Sequence, residues 1–317
     1  MLVRFWGVRG SVASAINSDA IKSKIVKILE YATPADIMTP ENINSFVNSL
    51  PLSLKGTFGG NTTCVEIRSD NDAIFIIDGG TGLPRLGHQL MTVEQKKEMH
   101  INMFMTHSHW DHIQGIMFFG PFFNPVNTVN IYSSMENMHE RLQYQTPFTH
   151  FPITFDDMGI NKKFFYFPEQ EEIKVDELYV SSKAVRHPGT AYSYKFRTED
   201  NRSVIFCSDA EFGIDMIENI ESYIEFFKNA DILIFDTQYT FEESLQKIDW
   251  GHSSTSIATD IALKSGVKKL ILFHHDPWYD DEKMDAVTIK ALKYKELMAP
   301  GHLLEIETAY EGMILHL

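Results

Sequence analysis

Thr106-His107-Ser108-His109-Trp110-Asp111-His112 holds the densest group of metal-binding side chains in this sequence. Three histidines and one aspartate fall within six residues, and the largely apolar run 101–105 comes directly before them. Imidazole and carboxylate groups together bind zinc, manganese or iron. A strand that leads into such a loop can direct several of these groups at one point, so the sequence predicts a metal site here.

Other candidate ligands follow apolar runs that are predicted strands, which is the usual position of functional loops on a rigid sheet. They are Asp78, His187, Asp209, Asp236 and His274. A single aspartate at a strand end is more often a turn residue or a helix cap, so the prediction depends on the whole set. This set of imidazole and carboxylate groups exceeds the ligands of one tetrahedral ion, which indicates two ions about 3.5–4 Å apart with a bridging carboxylate.

Periodicity and turn residues predict interleaved strands and helices. Strands are predicted at 2–6, 62–68, 73–77, 101–105, 128–132, 163–167, 178–185, 192–197, 203–207, 231–235, 269–273, 303–307 and 312–316. Helices are predicted at 19–32, 40–50, 83–91, 134–144, 215–228, 254–265 and 282–297. The strands from 163 to 207 are interpreted as one antiparallel series. Mixed sheets with interleaved helices favour one domain over 1–317, with two sheets covered by helices.

Two regions depart from this pattern. The helices at about 17–56 form an insertion in a β-unit. We expect this insertion either to cover a pocket or to form a subunit contact, so a homodimer is one possible assembly. The region at about 113–167 is variable in pattern and rich in aromatic residues. Its clustered phenylalanines are interpreted as core packing, with a mobile aromatic wall over a substrate pocket as the alternative.

The composition limits the classes of protein. A formal net charge of −15 argues against a large nucleic-acid footprint, because such a surface needs a basic face. Cys64 and Cys207 lie inside apolar runs and are predicted to be buried, reduced thiols. Neither a secretory segment nor an apolar run near the ~20 residues of a membrane span is evident. We therefore expect a cytoplasmic protein with no membrane partner.

The order of these motifs resembles a known family. The HxHxDH loop, followed by His187, Asp209 and His274, is similar to the five-motif signature of the metallo-β-lactamase fold superfamily, and Asp78-Gly79-Gly80-Thr81-Gly82 matches its first motif. The resemblance extends over nearly the whole chain. It implies an α/β (α+β) fold, a four-layer αββα sandwich in which two mixed sheets are flanked by helices.

The resemblance also implies a ligand set for two divalent metal ions, with zinc expected and manganese or iron as alternatives. The implied ligands are His107, His109 and His187 for the first ion and Asp111, His112 and His274 for the second. Asp209 would bridge the ions, and Asp78 would orient the ligands from outside. His275 competes with His274 for the last position, and the end of the strand at Phe273 favours His274. The ions would generate a hydroxide from bound water at neutral pH.

A second motif points to one branch of the superfamily. Phe235-Asp236-Thr237-Gln238-Tyr239, followed by Trp250-Gly251-His252-Ser253-Ser254-Thr255, is similar to the phosphodiesterase branch, which includes tRNA 3′-processing endonucleases and small cyclic phosphodiesterases. This similarity implies that His252 is the general acid and that Asp236 is its partner, with Asp111 completing the catalytic set. A positioned acid typically contributes ~10²–10⁴-fold when the leaving group is a poor one.

The sequence therefore favours a metal-dependent phosphodiesterase whose substrate is a small cyclic or short phosphodiester. The alternative is a hydrolase of lactones, thioesters or carboxylic esters on the same metal site. A tRNA 3′-processing endonuclease is disfavoured by the negative net charge, so nucleic acids larger than a nucleotide are not expected partners. A metal-binding protein without catalysis is the least favoured hypothesis.

Overall fold

Fourteen strands form two seven-stranded sheets in the computed structural model of this protein, which describes residues 1–169, 171–213 and 220–317. The strands are β1 (Leu2–Gly7), β2 (Cys64–Arg68), β3 (Ile74–Ile77), β4 (His100–Phe104), β5 (Thr128–Ser133), β6 (Asn161–Tyr166), β7 (Glu172–Val175), β8 (Leu178–Val185), β9 (Ala191–Arg197), β10 (Ser203–Cys207), β11 (Ile232–Asp236), β12 (Lys269–Phe273), β13 (Glu305–Thr308) and β14 (Ile314–His316). The first sheet has the order β14-β1-β2-β3-β4-β5-β6 and the second has the order β13-β12-β11-β10-β9-β8-β7.

Both sheets are mixed and follow the same pairing pattern. In the first sheet the pairs from β14 to β3 are antiparallel and those from β3 to β6 are parallel. In the second sheet the pairs from β7 to β10 are antiparallel and those from β10 to β13 are parallel. Parallel neighbours end at the same edge of a sheet, so each sheet gathers several carboxyl-terminal loops there.

The helices include those that pack on the outer faces of the sheets and those of the loops and the insertion. They are α1 (Ser18–Tyr31), α2 (Pro40–Ser49), α3 (Leu52–Lys55), α4 (Leu83–His88), α5 (Trp110–Ile113), α6 (Met138–Gln145), α7 (Ile220–Phe227), α8 (Phe241–Ser244), α9 (Thr255–Lys264) and α10 (Asp281–Met298). Short 3-10 turns lie at Pro34–Ile37, Ile116–Phe118 and Gly120–Phe123, and a π-helical turn lies at Gln89–Val93. The loop at 147–158, for which the sequence predicts no element, contains no helix or strand.

Three apolar cores separate four layers. The central core lies between the sheets and contains Phe104 from the first sheet and Phe273 from the second. One outer core packs α7, α9 and α10 on the second sheet, and the other packs α4, α5 and α6 on the first. Both faces of each sheet are therefore covered, which explains the continuous apolar runs of strands such as β12: Ile271 faces the central core and Leu272 the outer one. The predicted αββα sandwich of two mixed sheets is confirmed.

The predicted antiparallel series from 163 to 207 is wrong at its first strand. β6 pairs in parallel with β5 in the first sheet. The strand that opens the antiparallel series is β7, which the sequence analysis missed. Its four residues alternate glutamate or lysine with isoleucine or valine, a pattern too short to separate from a charged turn. Residues 215–219 of the predicted helix 215–228 lie outside the described residues.

The insertion at 17–56 consists of α1, the 3-10 turn, α2 and α3. Asn17 caps α1, since its side chain accepts a hydrogen bond from the backbone N–H of Ala20. Lys24 ties the insertion to α10 through an ion pair with Asp281. The central core contains Val3 near one end of the chain and Leu315 near the other. We therefore propose that 1–317 act as one domain with this insertion on its surface.

In the aromatic-rich region at 113–167, some phenylalanines are buried in the core and others are exposed. Phe119 and Phe122 are fully buried in the outer core, as the core-packing interpretation requires. Phe118 and Phe123 are exposed. Cys64 and Cys207 are buried and free, as predicted. Within the described ranges, no helix combines the length and the apolar character that crossing a membrane requires.

Replacing Phe104 by alanine is expected to lower the free energy of unfolding by about 3–5 kcal/mol. The ring is fully buried and stacks on Tyr132 with 4.8 Å between centroids, and it meets Phe196 edge-on at 5.0 Å. Urea unfolding followed by circular dichroism measures the loss. Phe118→Ala is the matched control, because its ring is exposed and should cost about 1 kcal/mol or less. Equal losses in the two variants would contradict the layer assignment.

Candidate metal centre

The first group of candidate ligands brings together three histidines from two loops. His107 and His109 follow β4, and His187 follows β8. His187 Nε2 lies 3.0 Å from His109 Nδ1, and the rings of His107 and His109 are 4.5 Å apart. Ligand atoms around a tetrahedral zinc ion, at about 2.0–2.1 Å from it, are separated by about 3.3 Å. The spacing of these nitrogens is close to that value.

The second group contains Asp111, His112 and His274. Asp111 Oδ2 lies 3.4 Å from His112 Nε2 and 3.2 Å from His274 Nε2. The two imidazole nitrogens are 3.3 Å apart. His275, the alternative to His274, points away from this group, since its Nε2 lies 2.9 Å from the backbone carbonyl of Ala309. Within the described part of the chain, only His274 of this pair joins the cluster.

Asp209 lies between the two groups and belongs to both. Its Oδ2 faces the first group, at 3.8 Å from His107 Nε2 and 3.6 Å from His187 Nε2. Its Oδ1 faces the second group, at 3.0 Å from His112 Nε2 and 3.2 Å from His274 Nε2. A carboxylate with one oxygen on each side is the arrangement that a bridging ligand needs.

A positive φ angle at three strand ends turns side chains toward this centre. Asp78 after β3, Asp209 after β10 and His274 after β12 have φ angles of 58°, 54° and 61°. Residues other than glycine pay roughly 1–2 kcal/mol for this conformation. Such strain collects at functional sites, where the surrounding structure holds it in place. Here the hydrogen bonds of the loops hold each residue.

Three histidines of the centre, His112, His274 and His187, also have a fixed outer partner. Asp78 Oδ2 lies 2.7 Å from His112 Nδ1, and Gln238 Oε1 lies 3.1 Å from His274 Nδ1. The carbonyl of Gly251 lies 3.0 Å from His187 Nδ1. A nitrogen that donates to an oxygen on one side of the ring leaves the opposite Nε2 free as a ligand. The carboxylate of Asp78 therefore contacts the His112 ring on the side away from the other candidate ligands.

Only glycine fits at position 251, because the backbone there lies against the ring of His187. A β-carbon at that position would lie 2.2 Å from His187 Nδ1, and the φ angle of +88° is itself a glycine conformation. The buried carboxylate of Glu211 holds the same loop, because it accepts hydrogen bonds from the backbone N–H groups of Asp249 and Gly251 at 2.9 and 2.8 Å. Glu211 was not among the residues predicted from the sequence, and its position two residues after Asp209 was the available signal.

The protonation of the first group suits metal binding. Burial, followed by the positive charge of His112, lowers the pKa of His107 well below its usual value. Burial likewise lowers the pKa of His109 and of His187. Neutral imidazole is the form that binds metal ions. His107 Nε2 is buried and finds no hydrogen-bond partner among the described residues, which is costly unless a cation binds there.

The second group concentrates negative charge. Burial disfavours a charged imidazole at His112, but Asp209, Asp111 and Asp78 together raise its pKa well above the usual value. Burial also disfavours the ionised carboxylate of Asp111, yet His112 and His274 hold its pKa well below the usual range. Buried carboxylates of this kind require compensating positive charge. The donor set therefore fits divalent cations in both groups.

His252 and Asp236 form a pair beside both groups. His252 Nδ1 lies 2.8 Å from Asp236 Oδ2, and its ring stacks on that of His274 at 5.1 Å and meets that of His187 at 5.3 Å. Burial opposes a charged imidazole here, but the charge and hydrogen bond of Asp236 raise the pKa of His252 to about 9. Asp236 is itself fixed by the backbone N–H of Gln238, which donates to Oδ1 at 3.0 Å.

Two further residues, Ser11 and Gln238, connect the ligands of the second group, and the sequence analysis gave neither of them a role. The backbone N–H of Ser11 donates to Asp111 Oδ2 at 2.7 Å, and Gln238 Nε2 donates to Ser11 Oγ at 3.1 Å. Gln238 Oε1 faces His274, so the hydrogen bonds run from Asp111 through Ser11 and Gln238 to His274. Ser11 and Asp111 are a hundred positions apart, and no local pattern connects them.

Replacing Gln238 by leucine is expected to weaken metal binding at the second group by about 10–100-fold, because His274 loses the partner that orients its ring. Metal content after dialysis against graded chelator concentrations measures the change. Gln246→Leu, on an exposed position of the same segment, is the matched control. Unchanged affinity in Gln238→Leu would show that packing alone orients His274.

Comparison with known proteins agrees with this geometry. Residues 75–275 match the family model described as the beta-lactamase superfamily domain. The chain belongs to this superfamily. Its structure is similar to that of the metallo-beta-lactamase fold protein YhfI from Bacillus subtilis, with a TM-score of 0.64, 17% identity and coverage of 99% of this chain and 98% of that one.

Two more similar proteins extend the comparison. The structure of unliganded yeast PDE1 matches with a TM-score of 0.62 and 14% identity over 81% of this chain and 95% of that one. A curated protein named Ribonuclease Z, from Prochlorococcus marinus (strain NATL2A), is 28% identical over 254 residues, which cover 65% of this chain and 79% of the relative. The metallo-β-lactamase fold implies divalent metals. This chain is a metal-dependent hydrolase.

Proposed function

We propose that this hydrolase is a dinuclear phosphodiesterase acting on small cyclic or short phosphodiesters. The single observation that supports this proposal is the Asp236–His252 pair, whose imidazole lies against the rings of both ligand groups. An alkoxide that leaves a phosphodiester is a poor leaving group and benefits from a proton donor. A lactone or thioester depends on such a donor much less, so the pair favours phosphodiester chemistry.

The chain's own residues divide into three roles in this proposal. His107, His109 and His187 would hold one ion, Asp111, His112 and His274 the other, and Asp209 both. When bound, the two ions, proposed to be zinc with manganese or iron as alternatives, would supply an activated water as nucleophile and withdraw charge from the phosphoryl oxygens. His252 donates a proton from Nε2 to the leaving oxygen. Asp236 accepts the hydrogen bond from Nδ1 and so keeps the donor nitrogen directed at the substrate.

The experiment is a substrate panel with protein reconstituted with each metal. The panel contains bis-p-nitrophenyl phosphate, 2′,3′- and 3′,5′-cyclic nucleotides, a lactone and a thioester. Turnover of at least one phosphodiester, faster than turnover of the lactone and the thioester, is expected. The opposite preference would establish the carboxylic-ester, lactone or thioester hydrolase instead. A protein that binds both ions and turns over no member of the panel would overturn the phosphodiesterase proposal.

A second candidate substrate is RNA. The curated relatives named Ribonuclease Z favour it, and they weaken the expectation that nucleic acids larger than a nucleotide are not partners. The formal net charge of −15 opposes it, because contacts with an RNA backbone require a cationic surface. Cleavage of a tRNA precursor at low and at moderate salt, compared with cleavage of a dinucleotide, distinguishes the two substrates.

A further inference from the structure

Arg141 is a cation at the mouth of the metal centre that the proposed function does not use. It lies on α6, and its Nη1 donates a hydrogen bond of 3.0 Å to Ser108 Oγ. Ser108 stands between His107 and His109 in the HxHxDH loop at 107–112, called the ligand loop below. A guanidinium held there lies one residue from two candidate metal ligands.

The guanidinium of Arg141 is held in place by two hydrogen bonds and keeps other N–H donors for a ligand. Its Nε donates to Asn137 Oδ1 at 3.0 Å, so two of the five N–H donors are used. Within the described part of the chain, Arg141 makes no ion pair. Other arginines do pair with carboxylates: Arg68, Arg85, Arg186, Arg197 and Arg202. In a chain with a net charge of −15, an arginine left without a carboxylate beside the catalytic centre can attract an anionic group.

Aromatic rings accompany this charge. Trp110, between the candidate ligands His109 and Asp111, is 77% exposed, and Tyr144 is 89% exposed. Tyr144 is three residues after Arg141 on α6 and therefore shares its face of the helix. Gln145 Nε2 donates to the carbonyl of Ile113 at 3.2 Å, which places the end of α6 against the ligand loop. Exposed rings of this kind are stacking platforms for nucleobases, and arginine is the side chain best suited to a phosphate.

We propose that Arg141, Trp110 and Tyr144 form a nucleotide subsite. Arg141 binds a phosphate next to the scissile one, and the two rings stack on a base. This inference depends on the proposed function and narrows it, since the substrate is then a short oligonucleotide with a terminal phosphate. No covalent step takes place in the subsite, which only binds and positions the chain.

The test compares two dinucleotides that differ in one phosphate, the diadenylate ApA and its 5′-phosphorylated form pApA, with bis-p-nitrophenyl phosphate as a substrate that has no base. We expect the wild type to prefer pApA over ApA in kcat/KM. Arg141→Ala should reduce that preference about 10-fold or more, because one charge-assisted hydrogen bond is lost. Lys293→Ala removes the same charge from α10 on the opposite outer layer and should leave the preference unchanged. Tyr144→Ala should lower kcat/KM for both dinucleotides relative to bis-p-nitrophenyl phosphate.

The outcomes separate this inference from the proposed function. Hydrolysis of all three substrates with an unchanged pApA preference in Arg141→Ala would overturn the subsite and leave the phosphodiesterase intact. If no phosphodiester is hydrolysed, the proposed function fails. The subsite is then tested by the affinity of the protein for a nucleotide. In that case a phosphorothioate analogue of pApA is titrated into the metal-loaded protein with tryptophan fluorescence as the signal. A Kd that rises about 10-fold in Arg141→Ala supports the subsite, and an equal Kd overturns it.

Discussion

Replacing Asp209 by alanine is expected to lower bound metal from two ions per chain to less than one and to reduce kcat by a factor of at least about 10³. The reason is the position of its two oxygens, one near His112 and His274 and the other near His107 and His187. A single substitution therefore removes a ligand from both groups. It also leaves the charged groups around it without their shared carboxylate.

Metal analysis by mass spectrometry and turnover of bis-p-nitrophenyl phosphate measure the two effects. Asp200→Ala is the matched control, since Asp200 lies in the turn before β10, at the opposite end of that strand. Circular dichroism of each variant shows whether the fold is kept. A folded Asp209→Ala protein that retains two ions would contradict the bridging role. Loss of one ion with the other held at wild-type affinity would assign Asp209 to a single group.

Replacing His252 by alanine is expected to lower kcat by about 10²–10⁴-fold for substrates with an alkoxide leaving group, such as cyclic nucleotides. For bis-p-nitrophenyl phosphate the loss should be about 10-fold at most, because nitrophenolate departs without a proton donor. The imidazole contacts the buried carboxylate of Asp236, and the substitution also leaves that carboxylate without its partner. Asp236→Asn should follow the same trend with a smaller effect.

The loss of kcat on cyclic nucleotides, divided by the loss on bis-p-nitrophenyl phosphate, tests whether His252 donates a proton. His88→Ala, on the exposed side of α4, controls for the removal of an imidazole and should change neither rate. Equal losses of His252→Ala on both substrate types would show that His252 supports the structure of the centre and does not donate a proton. Metal content measured in the same samples excludes loss of ions from the neighbouring His187 and His274 as the cause.

The candidate ligands could be named from the sequence because their signals are local. His107, His109, Asp111 and His112 are neighbours in one loop, and Asp78, His187, Asp209 and His274 each follow an apolar run that ends there. Alternation of side chains on a strand and the end of an apolar run can be read within ten residues. The choice of His274 over His275 also followed from such a local argument, and the structure places His274 in the cluster.

Contacts between segments that are distant in the sequence could not be predicted from such local signals. β6 was assigned to the wrong series because a strand's periodicity does not say which neighbour it will join. Ser11 and Gln238 meet across more than two hundred positions, and Arg141 reaches Ser108 from another helix. Ser11, Gln238 and Arg141 are each an ordinary polar side chain in their own segments. The role of each arises only when folding brings a second segment to it.

The sequence by itself determined the fold class and named the candidate ligands, because periodicity, side-chain chemistry and the motifs that resemble the metallo-β-lactamase signature are all properties of short segments. Only the tertiary structure decided which oxygen of Asp209 faces which group, and which partners orient His187 and His274. These facts depend on distances of about 3 Å between loops from different strands, since hydrogen bonds weaken steeply beyond that range. Such distances are set by the packing of two sheets on one core and are not encoded in any single loop.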